Sequence, residues 1–541
     1  MKKVTVFILV LSVLFSITVM PAEAASASNP KKAYEYARKA HDLENDNKDE
    51  EALKYYDLAI ELDPAEPKYP YWKGILLEIM GDLDGAAEAY KQSEKDDPTF
   101  YNAFICEGKI YYSQGKYVDA IECFDNAIKI GKENVFLNES YSLKGDALSA
   151  LGKDMEAIAA YDMAIKTDKG YVDAYVGKGL ILCRQKKYAE AVKLFDQGIK
   201  EYPHLDLYKQ KAYALIDMGR KDEAVKTFDP YIKKNPKDYN AYNMKGNILY
   251  DLGRYNEAIV QYDKAIKLAP DAAGLYSNKA NALSVLKKYD DSLKLYDKAI
   301  QMDPTYYYYY IYKADTLFYL GEYEKAVENY DIVILNVDTQ FDYLPYALCS
   351  KGVSLYNIGK AEDAIDCYEQ AIKLNPEYYD ACNNEGDALV SLGLYDEAGE
   401  YYNRSLELQP GNMIALNGQA SILFLQGKFE DSIIALDKII TKYPDASICY
   451  CNKAYVLCQL GRYEESVSCY EKVIDEVDPS YHYAYYDLAE VLVKLNRYDE
   501  AIDNLKKSIT LFPKSRDYIK DDPDFDAIKG MNAFKALLPA S

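Results

Sequence analysis

Apolar and polar positions along this chain follow two nested periods. Within short stretches, apolar residues recur every three or four positions, the spacing of one face of an α-helix. Such stretches fill residues 34–511, and a polar turn follows each one. The longer period shows in the segments AIELDP (59–64), AIKLAP (265–270), AIQMDP (299–304) and AIKLNP (371–376), which lie multiples of 34 residues apart once small insertions are allowed for. Length alone would suggest several globular domains; the period predicts one stacked array of helical hairpins instead.

Extending the register gives fourteen repeats: 33–66, 67–100, 101–134, 138–171, 172–204, 205–238, 239–272, 273–306, 307–340, 345–378, 379–412, 413–446, 447–480 and 482–513. Every one has Gly or Ala at its eighth position, from Ala40 and Gly74 to Ala489. Every one has Ala or Ser at its twentieth, from Ala52 to Ala501. Small residues at both places let two helix backbones approach, and large residues at the fourth, eleventh and twenty-fourth positions fill the space around the crossing. In the seventh repeat these are Tyr242, Leu249 and Tyr262. There Gly253 ends the first helix, Tyr255 wedges the turn and Pro270 stops the second helix.

These residues resemble the tetratricopeptide repeat family over 33–513. The resemblance implies an all-α fold, an α-solenoid coiled as a right-handed superhelix of about fourteen helix-turn-helix units. It departs from a strict period at three added residues (135–137), four added residues (341–344), one at Tyr481, and a repeat one residue short near His204. Each should shift a stacking angle without breaking the array. In 514–541, Phe525, Ile528, Met531, Phe534 and Leu538 share one helical face after Asp522-Pro523, which predicts a capping helix over the last repeat.

The N-terminus reads as an export signal. Lys2 and Lys3 precede an apolar run over 4–20, and Ala22-Glu23-Ala24 supplies the small residues of a cleavage site. Cleavage after Ala24 leaves a mature chain starting at Ala25, with 25–32 as a short linker. The competing reading is an uncleaved anchor, but the run is shorter than the ~20 residues a spanning helix needs.

Charge narrows the partners. With 87 acidic against 64 basic residues the net charge is −23, which disfavours nucleic acid and anionic lipid. His41, His204 and His482 are far apart, and neither a glycine-rich phosphate loop nor a paired-histidine zinc motif occurs. The expectation is a non-enzymatic protein without cofactor or metal. Of ten cysteines, Cys123, Cys367 and Cys469 share the twenty-third position, where other repeats carry small or apolar residues, so most are expected as free thiols.

The resemblance assigns positions 2, 5, 9 and 12 of each first helix to a concave groove that binds protein or peptide. Two textures stand there. Asn243, Asn247, Asn278, Asn281, Asn383, Asn384, Asn417 and Asn452 offer amides able to pair with an extended backbone. Tyr308, Tyr312, Phe318, Tyr346 and Tyr356 offer apolar contact with polar tips. The family's clamp for chaperone tails needs Lys and Arg where this chain has Asn243, Tyr308 and Tyr312, so that role is rejected. The leading expectation is a peptide-binding scaffold outside the cytoplasm; carbohydrate binding at the tyrosines is the alternative.

Overall fold

The computed structural model describes residues 29–131 and 137–538, and its regular secondary structure among them is helical throughout. The chain divides into two compact units, Met1–Arg254 and Tyr255–Ser541. Within each, paired antiparallel helices stack on the next pair, which is the α-solenoid architecture. The expected signal segment and cleavage site lie outside the described residues, as do 135 and 136 of the first insertion.

The small residues do what their spacing predicts. All fourteen residues at position 20 are at most 1% exposed. Where serine replaces alanine there, its hydroxyl donates across the crossing to the carbonyl at position 8: Ser292 to Ala280 (2.8 Å), Ser432 to Ala420 (2.8 Å) and Ser466 to Ala454 (2.7 Å). A polar atom is thus admitted to the tightest contact because it finds a partner there.

Position 24 is the centre of each hairpin. Tyr161 lies between two first helices, so close that a Cβ on Gly145 or Gly177 would fall 2.7 or 2.5 Å from its ring. Its hydroxyl donates to Asp146 at position 9 (2.7 Å), and Tyr402 repeats the arrangement with Asp387 (2.6 Å). The turn inside each hairpin is equally regular. Position 15 takes positive φ in all fourteen repeats, as Gly in ten, Asn47 and Asn496 in two, and Lys186 and Lys287 in two. The left-handed backbone there closes the first helix, which is why glycine dominates.

Four local features differ from the sequence expectation. The second helix of the sixth repeat breaks into Lys221–Lys226 and Asp229–Lys234. Pro230 lacks an N–H and its ring crowds the carbonyl four residues back, so the helix cannot run through. The single added residue is absorbed before Tyr481, where Val473–Val477 forms one π-helical turn that holds an extra residue inside the second helix. The C-terminal segment is not one helix but short pieces, Ser515–Ile519, Pro523–Phe525 and Asn532–Leu537. It still covers the last repeat, burying Phe525, Ile528 and Phe534 against a core that includes Leu488, Leu492 and Leu505. Lastly, the insertion at 341–344 precedes the helix Leu344–Asn357, and its aromatic residues turn back onto the preceding first helix.

All ten cysteines are thiols in this structure, and Cys123, Cys349, Cys367, Cys382, Cys449 and Cys451 are buried. Burial pushes the Cys349 and Cys449 thiols up to about 11, so these side chains pack as small apolar groups.

Candidate functional site

The asparagine row and the tyrosine row separate in the structure. Asn452 donates to the Asn417 carbonyl oxygen one repeat earlier (2.7 Å), and Asn384 donates to the Cys349 sulfur (3.4 Å). Asn281 accepts the Tyr296 hydroxyl of its own hairpin. Asn383 is 1% exposed, and neither amide atom has a hydrogen-bond partner. Asn243 and Asn247, in the first unit, and Asn278, in the second, are half-buried. The reading of a free amide row is corrected accordingly. Helical spacing shows that these residues share a stripe, but neighbouring first helices lie side by side, so part of that stripe is covered by the next repeat. At least Asn281, Asn384, Asn417 and Asn452 act as ties within the array.

The tyrosines form a real surface cluster in the second unit. Tyr308 stands at its centre on the first helix Tyr308–Leu320. Its ring centroid lies 5.1 Å from Tyr306, 5.1 Å from Phe341, 5.0 Å from Tyr343 and 6.5 Å from Tyr312, and Tyr343 lies 6.1 Å from Tyr346. Tyr306, Tyr343 and Tyr346 remain 46%, 42% and 38% exposed. Burial pushes the Tyr312 phenol up to about 12, so it stays a neutral donor. Tyr356 is 37% exposed but makes no ring contact with this cluster among the described residues. Sequence reading missed Tyr306, Phe341 and Tyr343. The signal was present, because an insertion that breaks a strict period and carries two aromatic residues asks for a reason.

Beneath the cluster lies Asp315. Its Oδ1 accepts the hydroxyls of Tyr330 (2.5 Å) and Tyr346 (3.1 Å). Burial pushes this carboxyl up to about 6, while the two phenols pull it down. The carboxylate borders a cavity of about 140 Å³ walled by Phe318, Tyr319, Tyr330, Tyr346 and Val353. Phe318 is held there by Tyr319 and Tyr323, at 5.9 and 5.3 Å.

Two other places bring polar or titratable side chains together. In the first unit, Tyr34, Arg38, His41, Trp72, Ile75 and Ile79 line an apolar groove of about 350 Å³ between the first two first helices. In the second unit, oxygens of Glu490, Asp522 and Asp524 lie within 4.8 Å of one another. There the Lys494 ammonium reaches Asp524 at 2.8 Å and the Tyr486 hydroxyl donates to Asp522, ties that pin the C-terminal segment to the last repeat. Among the described residues no helix is long and apolar enough to cross a membrane.

Comparison with known proteins agrees with this architecture. Profiles described as Tetratricopeptide repeat match residues 37–99, 101–134, 142–206, 184–248, 273–306, 295–328, 349–412, 405–447 and 445–514, and one described as TPR repeat matches 246–284. Small glutamine-rich tetratricopeptide repeat-containing protein 2 of Mycosarcoma maydis is 29% identical over 99 residues, which is 18% of this chain and 28% of that relative. Hsp70-Hsp90 organizing protein 3 of Arabidopsis thaliana is 25% identical over 127 residues, 24% of this chain and 22% of that one. The probable UDP-N-acetylglucosamine–peptide N-acetylglucosaminyltransferase SPINDLY of Hordeum vulgare is 25% identical over 170 residues, 31% of this chain and 18% of that one. The chain thus spans between 18% and 28% of these relatives' lengths. Among solved structures, Cut9-Hcn1 of the APC/C aligns over 90% of this chain and 96% of its own, at 14% identity and TM-score 0.39. YrrB, described as a TPR protein with an unusual peptide-binding site, aligns over 36% of this chain and 97% of its own, at 22% identity and TM-score 0.30. With repeat profiles matching from residue 37 to 514 and a helical hairpin behind each repeat, this chain belongs to the tetratricopeptide repeat family.

Proposed function

We propose that this protein is a non-catalytic scaffold that binds polypeptide partners outside the cytoplasm, with the tyrosine cluster of the second unit as a main contact surface. The carrying observation is the insertion at 341–344. It is the largest of the departures from the period, and it places Phe341 and Tyr343 against Tyr308 at 5.1 and 5.0 Å in a patch that stays open to solvent. Repeat packing does not require that patch, and exposed aromatic clusters mark contact surfaces.

A random-peptide library panned against the mature chain tests this reading. Enriched peptides should bind the Tyr308→Ala/Tyr343→Ala double variant at least ~10-fold more weakly, the loss of two aromatic anchors at an interface centre. They should bind a Tyr202→Ala variant, altered at an exposed tyrosine of the first unit, as they bind the parent. Equal binding to parent and double variant overturns the assignment. Retention of the parent, but not the double variant, on purified cell-wall glycan would favour the carbohydrate alternative.

The location rests on Lys2, Lys3, the apolar run and the Ala22-Glu23-Ala24 site. N-terminal sequencing of the exported protein should read from Ala25. An intact Met1 recovered in the membrane pellet would overturn export by cleavage.

A further inference from the structure

From the cavity beside Asp315 we infer a lysine pocket: it receives the ammonium of a lysine carried by the bound polypeptide. The inference rests on the polypeptide-binding reading and adds the chemistry of one contact to it. Three observations lead to it. First, Asp315 is a half-buried carboxylate with no basic group within ion-pair distance among the described residues, which leaves its charge without a counter-ion. Second, both hydroxyls it receives, from Tyr330 and Tyr346, go to Oδ1, so Oδ2 remains for a further donor. Third, the cavity of about 140 Å³ offers many times the ~10–15 Å³ a single water needs, and the rings of Phe318, Tyr319, Tyr330 and Tyr346 line it together with Ser350 and Val353. Aromatic walls around an anion suit an alkyl chain that ends in a cation.

The geometry favours lysine over arginine. A guanidinium binds a carboxylate best through two parallel bonds, and Oδ1 is already occupied by two phenols. A compact ammonium needs only Oδ2. The site also belongs to the insertion, because Tyr346 enters it from the helix Leu344–Asn357 that the added residues precede. Position-9 acids elsewhere, such as Asp146 and Asp387, bind the tyrosine of their own hairpin. Asp315 takes a second hydroxyl from the next repeat.

The experiment uses the whole mature chain and capped pentapeptides, Gly-Gly-X-Gly-Gly, with X as lysine, norleucine or arginine, followed by ligand-detected NMR, and spermidine as a free-amine control. The lysine peptide should bind at least ~10-fold more tightly than the norleucine peptide, the scale of one charge-assisted hydrogen bond. It should also bind more tightly than the arginine peptide and than spermidine. Asp315→Asn should remove the preference for lysine over norleucine. This variant is expected to fold, because Asn281 already holds the same position under Tyr296, and unchanged circular dichroism checks it. The preference should also fade as pH drops below about 6, where Asp315 takes up a proton. The other titratable groups facing it are the phenols of Tyr312, Tyr319, Tyr330 and Tyr346; burial raises those of Tyr312, Tyr330 and Tyr346.

Equal binding of the lysine and norleucine peptides, a preference that survives Asp315→Asn, or spermidine matching the lysine peptide each overturns the pocket. The pocket and the broader reading fail separately. Panned peptides that lose binding to the Tyr308→Ala/Tyr343→Ala variant while lysine shows no preference would keep the scaffold and discard the pocket. A lysine preference without any loss in that double variant would keep the pocket and discard the tyrosine cluster as the main contact surface.

Discussion

At pH 8, Glu385→Gln is expected to unfold at a higher temperature than the parent protein, and at pH 5 the two should unfold nearly together. The reason is a broken rung in a ladder. At nine joints between repeats, a lysine at position 7 pairs with an aspartate at position 25 of the preceding repeat, from Lys73–Asp57 to Lys453–Asp437, at 2.5–2.7 Å. Lys91 and Glu107 reverse the signs at 3.9 Å, and Gln419 with Asn403 makes a neutral rung at 2.6 Å. Glu385 instead faces Glu369. It is 1% exposed, and its Oε2 has no hydrogen-bond partner. Burial pushes this carboxyl from 4.5 up to about 7, and Glu369 adds to the rise, while the Tyr401 hydroxyl and Arg404 oppose it. The native state therefore holds a proton that the unfolded chain has released. Stability falls as pH rises from about 4.5 to about 7 and stays flat above that. A shift of this size corresponds to about 3 kcal/mol of cost above neutrality. Glutamine keeps the shape without the charge, so it recovers much of that cost at pH 8 and little at pH 5. Glu385→Lys should gain more at pH 8, since it rebuilds the rung with Glu369. Thermal unfolding followed by circular dichroism at both pH values decides it; an equal offset at pH 5 and pH 8 would mean that ionisation of Glu385 is not the cause.

The contrast between those rungs and the asparagines shows which parts of this protein can be read from sequence. Positions 8, 20 and 24 meet inside one hairpin, so their identities are constrained fourteen times over, and the packing of Gly246, Ala258 and Tyr262 follows from the period alone. The ladder was legible in the same way: lysine and aspartate stand 16 residues apart in most joints, a pattern that shows once polar columns are aligned as carefully as apolar ones. What the period cannot give is how much of a helical stripe the next repeat covers. Asn383 and Asn417 sit at the same position, yet one is 1% exposed and the other ties Asn452. Insertions are also ambiguous, because an added residue can enter a turn or a helix. The extra residue expected at Tyr481 went into the π-turn Val473–Val477, and the residues at 341–344 built a site that only the fold brings together.

The second large effect is expected at Gly179. A Cβ there would lie 2.2 Å from Cζ and 2.3 Å from Cε1 of Phe195, whose side chain is fully buried. One methyl group can be accommodated at this position, since Ala280 and Ala314 sit in the same place beside Tyr296 and Tyr330. Gly179→Ala should therefore change stability by less than about 1 kcal/mol, with better helix propensity offsetting the crowding. Gly179→Leu adds a branched side chain where nothing can yield, and about 3 kcal/mol should be lost. Because each repeat is held chiefly by its neighbours, that loss opens the array locally. Limited proteolysis should cut the variant within the helices Val172–Arg184 and Tyr188–Glu201 under conditions that leave the parent intact. The same ring explains a rescue. Leu436 and Leu505 fill position 24 in two other repeats, so Phe195→Leu is compatible with the fold and makes room beside residue 179. The double variant Gly179→Leu/Phe195→Leu should regain protease resistance and about half of the lost stability, a coupling that only residues in direct contact show. If the two substitutions add instead, the glycine is required by something other than the ring at position 24.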